Sequence, residues 1–217
     1  MLDKYKSMCE LTELGLPTVK FKGYTYQDIK KKHKELKRHI QDLLNINGVF
    51  GVRTESAVEE NPGGHFPHGY PLYSVREAFY FIDNARKQFG ELFYIVNEGI
   101  PTERLKYNAV VFLDEAFGRW KLCGEINYTD TLCLRDAMKN SANLVSVSTL
   151  HNEDVGYLRS ALLRAGLVDG RIAEVSHFRN PERVIFWEIR NYDAIKKIQT
   201  AKLREARREA SWSAEFV

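Results

Sequence analysis

Residues 51–56, with the sequence GVRTES, carry the residue types that most favour anion binding in this 217-residue chain. Arg53 follows the apolar run 48–52, which predicts a buried strand. A guanidinium held rigidly at the end of such a strand suits bidentate contact with a phosphate group. The loop beyond it contains Gly63 and Gly64, where backbone N–H groups can approach an anion closely because no side chain intervenes.

The same region leaves other roles open. Arg53 could instead pair with Glu55 or Glu59, and His65 and His68 could either serve a bound anion or lie outside any site. The sequence contains neither a GxxxxGK[ST] phosphate loop nor a GxGxxG dinucleotide-binding turn. A phosphate site built on this segment therefore needs a different architecture.

Two carboxylates form a second candidate site. Glu174 and Glu188 lie in predicted strands on either side of the turn at 179–182, and antiparallel pairing about that turn brings them to the same region of a sheet. Buried carboxylates need partners or a cation, and carboxylate oxygens shared with nucleotide phosphates commonly hold Mg²⁺. The alternatives are an exposed face, or a salt bridge from Glu188 to Arg171 or Arg190.

Hydrophobic periodicity and turn residues predict the elements that position these side chains. Thr25 and Asp28 form a capping-box pattern at the start of one helix. Because helices and strands do not alternate regularly, the sequence predicts an α+β fold and disfavours a doubly wound sheet. Helices are predicted over residues 3–15, 25–43, 75–90, 154–165 and 193–210, and strands over 18–21, 48–53, 92–96, 109–113, 119–128, 171–178 and 184–189.

Composition narrows the class of protein. Hydrophobic residues make up 44% of the chain, which is enough for a folded core, and the formal net charge of +3 is too small to indicate an obligatory nucleic-acid partner. Cys9, Cys123 and Cys133 show no CxxC spacing and fit neither a disulfide framework nor a four-ligand zinc site. With no signal-peptide pattern and no apolar run of about 20 residues, we expect a cytoplasmic protein outside the membrane.

Taken together, these features resemble the ATP-grasp nucleotide-binding domain of the pyruvate phosphate dikinase and phosphoenolpyruvate synthase family. The likeness rests on Lys4 ahead of a helix that ends in Gly-Leu-Pro, on the VRTES and Pro-Gly-Gly segments, and on the final hairpin. The resemblance implies two small α+β lobes around a nucleotide cleft, formed by residues 1–90 and 91–192. A charged helix and tail at 193–217 would follow them.

The resemblance also implies ATP and Mg²⁺ as cofactors. Leu2 and Asp3 stand where the family has a glycine pair. No segment resembles the family's phosphohistidine domain, so we expect no complete dikinase reaction on this chain alone. The implied contacts are Lys4 and Arg53 with phosphates, Gly63 and Gly64 in the phosphate loop, Glu98 at the adenine, and Glu174 and Glu188 with Mg²⁺.

Two functions follow as hypotheses. In the first, the protein is a Mg-ATP-dependent enzyme that transfers a phosphoryl group to an unknown acceptor or ligates it, either by itself or with a partner chain. In the second, it is a non-catalytic module that binds a nucleotide or a nucleic acid. The surface for the second would comprise the lysine-rich segment 30–38 and the basic residues of the tail.

Overall fold

The computed structural model describes residues 3–56, 66–116, 118–128, 145–168 and 171–191. Its helices are α1 (Asp3–Glu13), α2 (Tyr26–Lys31), α3 (His33–Asn47), α4 (Val75–Phe89) and α5 (Asn152–Arg164). Its strands are β1 (Phe21–Thr25), β2 (Phe50–Ser56), β3 (His68–Leu72), β4 (Leu92–Glu98), β5 (Leu105–Ala116), β6 (Arg119–Asn127), β7 (Val145–Ser146), β8 (Arg171–Phe178) and β9 (Arg183–Asn191).

The first sheet has the strand order β1-β4-β2-β3, and all its pairings are antiparallel. Helices α2, α3 and α4 contribute to the hydrophobic core on one face of this sheet, where Leu36, Ile40 and Leu43 are fully buried. These residues recur at helical spacing, as the amphipathic pattern predicted. The opposite face of this sheet packs against the second sheet through Phe93 and Ile95.

The second sheet has the order β7-β6-β5-β8-β9 and is also antiparallel throughout. Helix α5 packs Leu158 and Leu162 into a core that includes Val111 and Val175 of this sheet. In this sheet Glu174 of β8 stands directly opposite Glu188 of β9, as expected from the predicted hairpin.

A third cluster of buried residues joins the two sheets. Ile95 of the first sheet packs with Phe178 and Trp187 of the second, and Met8 of α1 completes the cluster. Helix α1 is tied to β9 because the Ser7 hydroxyl accepts a hydrogen bond of 2.6 Å from the Ile189 amide. Burying large apolar side chains of this kind contributes about 1.5–3 kcal/mol each. This cluster therefore holds the two sheets together and holds helix α1 against the second sheet.

The α+β fold class with two antiparallel sheets is confirmed. Several predicted elements differ in extent, the helix from Thr25 and the strand at 18–21 among them, and the strand β3 was not predicted. The capping box is present, with the Asp28 amide 3.1 Å from the Thr25 hydroxyl. The helix it begins ends at Lys31, because Lys32 leaves helical geometry (φ −108°, ψ 30°) before α3 starts. The strand predicted at 18–21 starts only at Phe21. At Lys20 the backbone amide donates to the Glu98 carboxylate, and the carbonyl accepts a hydrogen bond from the Glu98 amide.

The predicted boundary between residues 90 and 91 falls just before β4, and β4 lies inside the first sheet. A division after Glu98 therefore describes the two sheets better, although the lobe assignment stays a prediction. The predicted helix and tail at 193–217 lie outside the described residues. Among the helices that the structure does describe, none has the length and apolar character needed to cross a membrane.

Candidate functional site

Arg53 lies in β2, which pairs with both β3 and β4 in the first sheet. Its guanidinium carbon is 4.8 Å from the centre of the Trp187 ring, which belongs to β9 of the second sheet. Guanidinium groups stack favourably on an indole face. The side chain therefore reaches across the space between the sheets and is held in one orientation there.

Trp187 is itself fixed by a buried hydrogen-bond chain. Its indole N–H donates to the Ser176 hydroxyl over 2.7 Å, and that hydroxyl donates to the Asn108 side-chain oxygen over 2.6 Å. All three residues are buried. Because the indole N–H and the Ser176 hydroxyl both have hydrogen-bond partners, the Trp187 ring under Arg53 is held in a fixed position.

Glu174 and Glu188 lie on the second sheet, close to Arg53 and Lys4. The β8–β9 pairing shifts register immediately after this pair, because Trp187 is the extra residue on β9. A bulge of this kind re-aims the side chains beside it. Burial and the neighbouring Glu188 carboxylate raise the pKa of Glu174 to about 7, although part of the Glu174 surface remains exposed.

Lys4 approaches from the start of α1. The Glu55 carboxylate of β2 accepts hydrogen bonds from the backbone amides of Lys4 (2.9 Å) and Tyr5 (3.1 Å), which anchors this helix end to the first sheet. Burial lowers the pKa of the Lys4 ammonium, while Glu188 opposes that shift and Arg53 adds to it. The four charged residues Lys4, Arg53, Glu174 and Glu188 thus lie close enough to act on one another.

Arg190 belongs to this group, and the sequence reasoning placed it only as a possible partner of Glu188. Its guanidinium Nε donates to Glu188 Oε1 over 2.8 Å. Its charge adds to the lowering of the Lys4 pKa that burial causes, and it partly opposes the rise of the Glu174 pKa. The other alternative partner, Arg171, bonds Glu10 of α1 instead, at 2.7 Å. The spacing of two residues on a strand places Arg190 and Glu188 on one face, and that signal could have identified Arg190.

Glu98 lies apart from the charged group, at the far end of β4. Its buried carboxylate accepts a hydrogen bond from Asn47 (2.9 Å), forms an ion pair with Arg183 (2.5 Å) and receives the Lys20 amide (3.2 Å). Arg183 begins β9, so Glu98 links the two sheets. Its role at the adenine base stays a prediction, and the structure adds a connecting role to it.

The remaining predicted positions are only partly described. Gly63, Gly64 and His65 lie outside the described residues, as does Glu59. His68 is exposed on β3 and stands opposite Arg53 in the β2–β3 pairing. The glycine-rich part of the proposed phosphate loop therefore remains a prediction made from the sequence.

The raised pKa of Glu174 leads to a pH prediction for the nucleotide-free protein. Folding favours the protonated form, because the folded pKa of about 7 exceeds the usual value of 4.5. This contribution to stability is full below pH 4.5 and is lost as the pH rises through 7. We expect the free energy of unfolding, measured by urea denaturation across that range, to fall less steeply in Glu174→Gln. An exposed control, Glu115→Gln, should follow the wild type; parallel curves for all three proteins would contradict the assignment.

Comparison with known proteins finds similarity in the fold and none in the sequence searches. No protein-family model and no curated protein matches the sequence. Among solved structures, the D-alanine-D-alanine ligase of Coxiella burnetii is 14% identical, with a TM-score of 0.53 over 88% of this chain and 48% of that one. The biotin carboxylase domain of the Hydrogenobacter thermophilus 2-oxoglutarate carboxylase is 17% identical, with a TM-score of 0.54 over 87% and 39%.

A third structure, an ADP complex of N5-carboxyaminoimidazole ribonucleotide synthetase, is 16% identical, with a TM-score of 0.50 over 87% of this chain and 44% of that one. All three are ATP-grasp enzymes. The chain has the ATP-grasp fold. It spans about half the length of the D-alanine-D-alanine ligase. These similarities do not single out the pyruvate phosphate dikinase and phosphoenolpyruvate synthase family within that fold.

Proposed function

We propose that this ATP-grasp chain binds Mg-ATP in the cleft between its two sheets and uses it for phosphoryl transfer or ligation to an acceptor. The observation that carries the proposal is the convergence of Lys4, Arg53 and Arg190 with the Glu174–Glu188 pair. Three cations and two adjacent carboxylates in a cleft fit a polyphosphate together with a divalent cation. Two of the similar solved structures contain ADP, one of them with magnesium.

Each side chain has a role that its surroundings support. Arg53 is pre-oriented by the Trp187 stack, so its planar fork would meet phosphate oxygens at little entropic cost. Lys4 sits on a helix end anchored by Glu55 and would add a point charge. Arg190 would neutralise further phosphate charge when it is released from Glu188. The ion pair between Arg190 and Glu188 thus positions the guanidinium for a phosphate and the carboxylate for a cation.

The carboxylates fit a divalent cation on the chemistry of the donor set. Glu174 and Glu188 are directly opposed on neighbouring strands, and burial together with their mutual repulsion raises the pKa of Glu174. A cation between them would relieve this repulsion. Magnesium, when bound, supplies charge neutralisation at the phosphates. The more specific membership in the dikinase and synthase family also remains part of this proposal, supported by the order of the Lys4, Arg53 and Glu174 segments.

The nucleic-acid alternative receives less support from the described residues. The lysine-rich segment 30–38 is largely exposed. Within it, Lys30 lies over the Tyr26 ring at 5.0 Å and Lys32 pairs with Asp28 at 3.7 Å. These contacts are typical of a solvated helix face. Steeply salt-dependent binding of DNA or RNA by the full chain would revive the alternative.

The proposal is tested by thermal unfolding with and without Mg-ATP. A ligand at about 100 times its Kd adds roughly 2.7 kcal/mol of stability, which corresponds to a Tm rise of about 5–10 °C for a chain of this size. We expect Arg53→Ala to abolish the rise. Arg86→Ala is the matched control, because Arg86 also stacks on an aromatic ring (Tyr26, 3.8 Å) but at a distant exposed position. The absence of any rise in the wild type at millimolar Mg-ATP would refute the proposal.

A further inference from the structure

A second group of ionisable side chains lies on the face of the second sheet that points away from the nucleotide cleft. His177 is in β8, Asp154 is in the first turn of α5, and Glu182 is in the turn between β8 and β9. Side chains alternate between the faces of a strand. His177 therefore shares its face with Val175 in the core beneath α5, while Ser176 contacts Trp187 on the cleft side.

The three residues converge closely. His177 Nδ1 is 3.3 Å from Asp154 Oδ1, and His177 Nε2 is 2.8 Å from Glu182 Oε1. One ligand atom from each residue can be chosen so that all three atoms lie within 4.8 Å of one another. Ligand atoms around a tetrahedral zinc ion, at about 2.0–2.1 Å from the metal, are separated by roughly 3.3 Å. Because the two carboxylates stand at different ring nitrogens, one of them would have to move toward the nitrogen that binds the ion.

The imidazole is buried without well-aligned hydrogen bonds. His177 is only 2% exposed, and its ring nitrogens lie close to two carboxylate oxygens in contacts that are poorly aligned for hydrogen bonds. The ring is held edge-on against Tyr107, with 5.1 Å between ring centres and 88° between planes. A buried polar ring that is packed in place but poorly hydrogen-bonded calls for another partner.

The Lys106 ammonium forms ion pairs with both carboxylates of this group. Its nitrogen is 3.1 Å from Asp154 Oδ2 and 3.8 Å from Glu182 Oε1. The ammonium therefore pairs with both carboxylates of the group, and a divalent cation would compete with it for the same oxygens. The Lys106 side chain is 25% exposed, and it can swing into solvent when a stronger cation arrives.

We propose that His177, Asp154 and Glu182 form a binding site for a divalent transition-metal ion of the zinc class, separate from the nucleotide cleft. One imidazole nitrogen and two carboxylate oxygens are ligands that zinc accepts, and the fourth position stays open to water. The ion would replace the Lys106 ammonium. It would tie the β8–β9 turn to the start of α5, so its role would be to stabilise the second sheet behind Glu174.

The site is tested on the full chain after treatment with a chelator, with zinc as the probe. We expect one zinc ion per chain to be bound at this site and the Tm to rise with micromolar zinc. His177→Gln should weaken this binding at least tenfold, whereas His33→Gln, an exposed histidine on α3, should not. Cobalt substitution identifies the ligands: d–d bands without a thiolate charge-transfer band exclude Cys9, Cys123 and Cys133.

A second variant keeps the test decisive if His177→Gln folds poorly. Lys106→Met removes the competing ammonium and should tighten zinc binding about tenfold or more, because the ion then meets two uncompensated carboxylates. Unchanged zinc affinity in Lys106→Met, or zinc binding that survives His177→Gln, would overturn the site. Arg53→Ala should keep the zinc response, and His177→Gln should keep the response to Mg-ATP. The two proposals therefore fail separately.

Discussion

Replacing Glu98 with alanine is expected to lower the free energy of unfolding by about 3 kcal/mol. The carboxylate is 2% exposed and binds Arg183, Asn47 and the Lys20 amide at once. Removing it leaves the Arg183 guanidinium without its buried partner and takes away an acceptor from two other donors. The loss falls at the low end of the range for broken buried pairs, because Arg183 is 34% exposed and can be hydrated in part.

Urea denaturation of the purified variants measures this effect. Glu91→Ala is the control, because Glu91 pairs with Arg86 at 3.5 Å on the surface and its side chain is 60% exposed. Exposed pairs of this kind contribute about 1 kcal/mol or less. In a double-mutant cycle, Glu98→Ala and Arg183→Ala should cost less together than the sum of the two single changes. Additive costs would show that the two side chains do not stabilise the fold as a pair.

Gly124→Ala is expected to destabilise the protein by about 3 kcal/mol or more. Gly124 lies in β6 opposite Val111, at a φ of +140° that side chains rarely adopt. A Cβ atom at this position would stand 2.0 Å from the Val110 carbonyl oxygen. Because the clash is with backbone in the middle of a five-stranded sheet, no side-chain rotation can relieve it.

Gly156→Ala is the matched control and should change stability in the opposite direction. Gly156 lies within α5, and a Cβ there meets nothing within 4 Å. Alanine in place of a helical glycine contributes about 0.5–1 kcal/mol of stability. Thermal and urea unfolding of both variants give the comparison. Equal stabilities for the two alanine variants would mean that the β5–β6 pairing differs from the one described.

Local patterns in the sequence predicted much of the framework correctly. The Thr25–Asp28 capping box, the helix at 75–90 and the strand at 171–178 were each read within a residue or so of their observed bounds. Each depends on contacts between residues close in the chain. The break at Lys32 was not predicted, because the hydrophobic stripe of α2 and α3 continues across it and gives no sign of the change in backbone geometry.

Pairwise contacts across the cleft were harder to predict. The antiparallel hairpin was enough to place Glu174 opposite Glu188, since one short turn connects the two strands. The contact of Arg53 with Trp187 joins residues more than a hundred positions apart in separate sheets. The choice of Arg190 over Arg171 as the partner of Glu188 depended on where α1 docks, because Glu10 of that helix binds Arg171.

The sequence by itself determined the α+β class, most of the helices and strands, and the segment around Arg53 as a candidate anion site. These follow from periodicity, capping and glycine content, which act over a few residues. Only the tertiary structure decided that Lys4, Arg53, Glu174, Glu188 and Arg190 lie close together. It also decided that Glu98 joins the two sheets and that His177 lies on the face of the second sheet opposite to Glu174. The physical reason is that burial, charge pairing and ring stacking depend on which distant strands and helices pack together, and local patterns do not specify that packing.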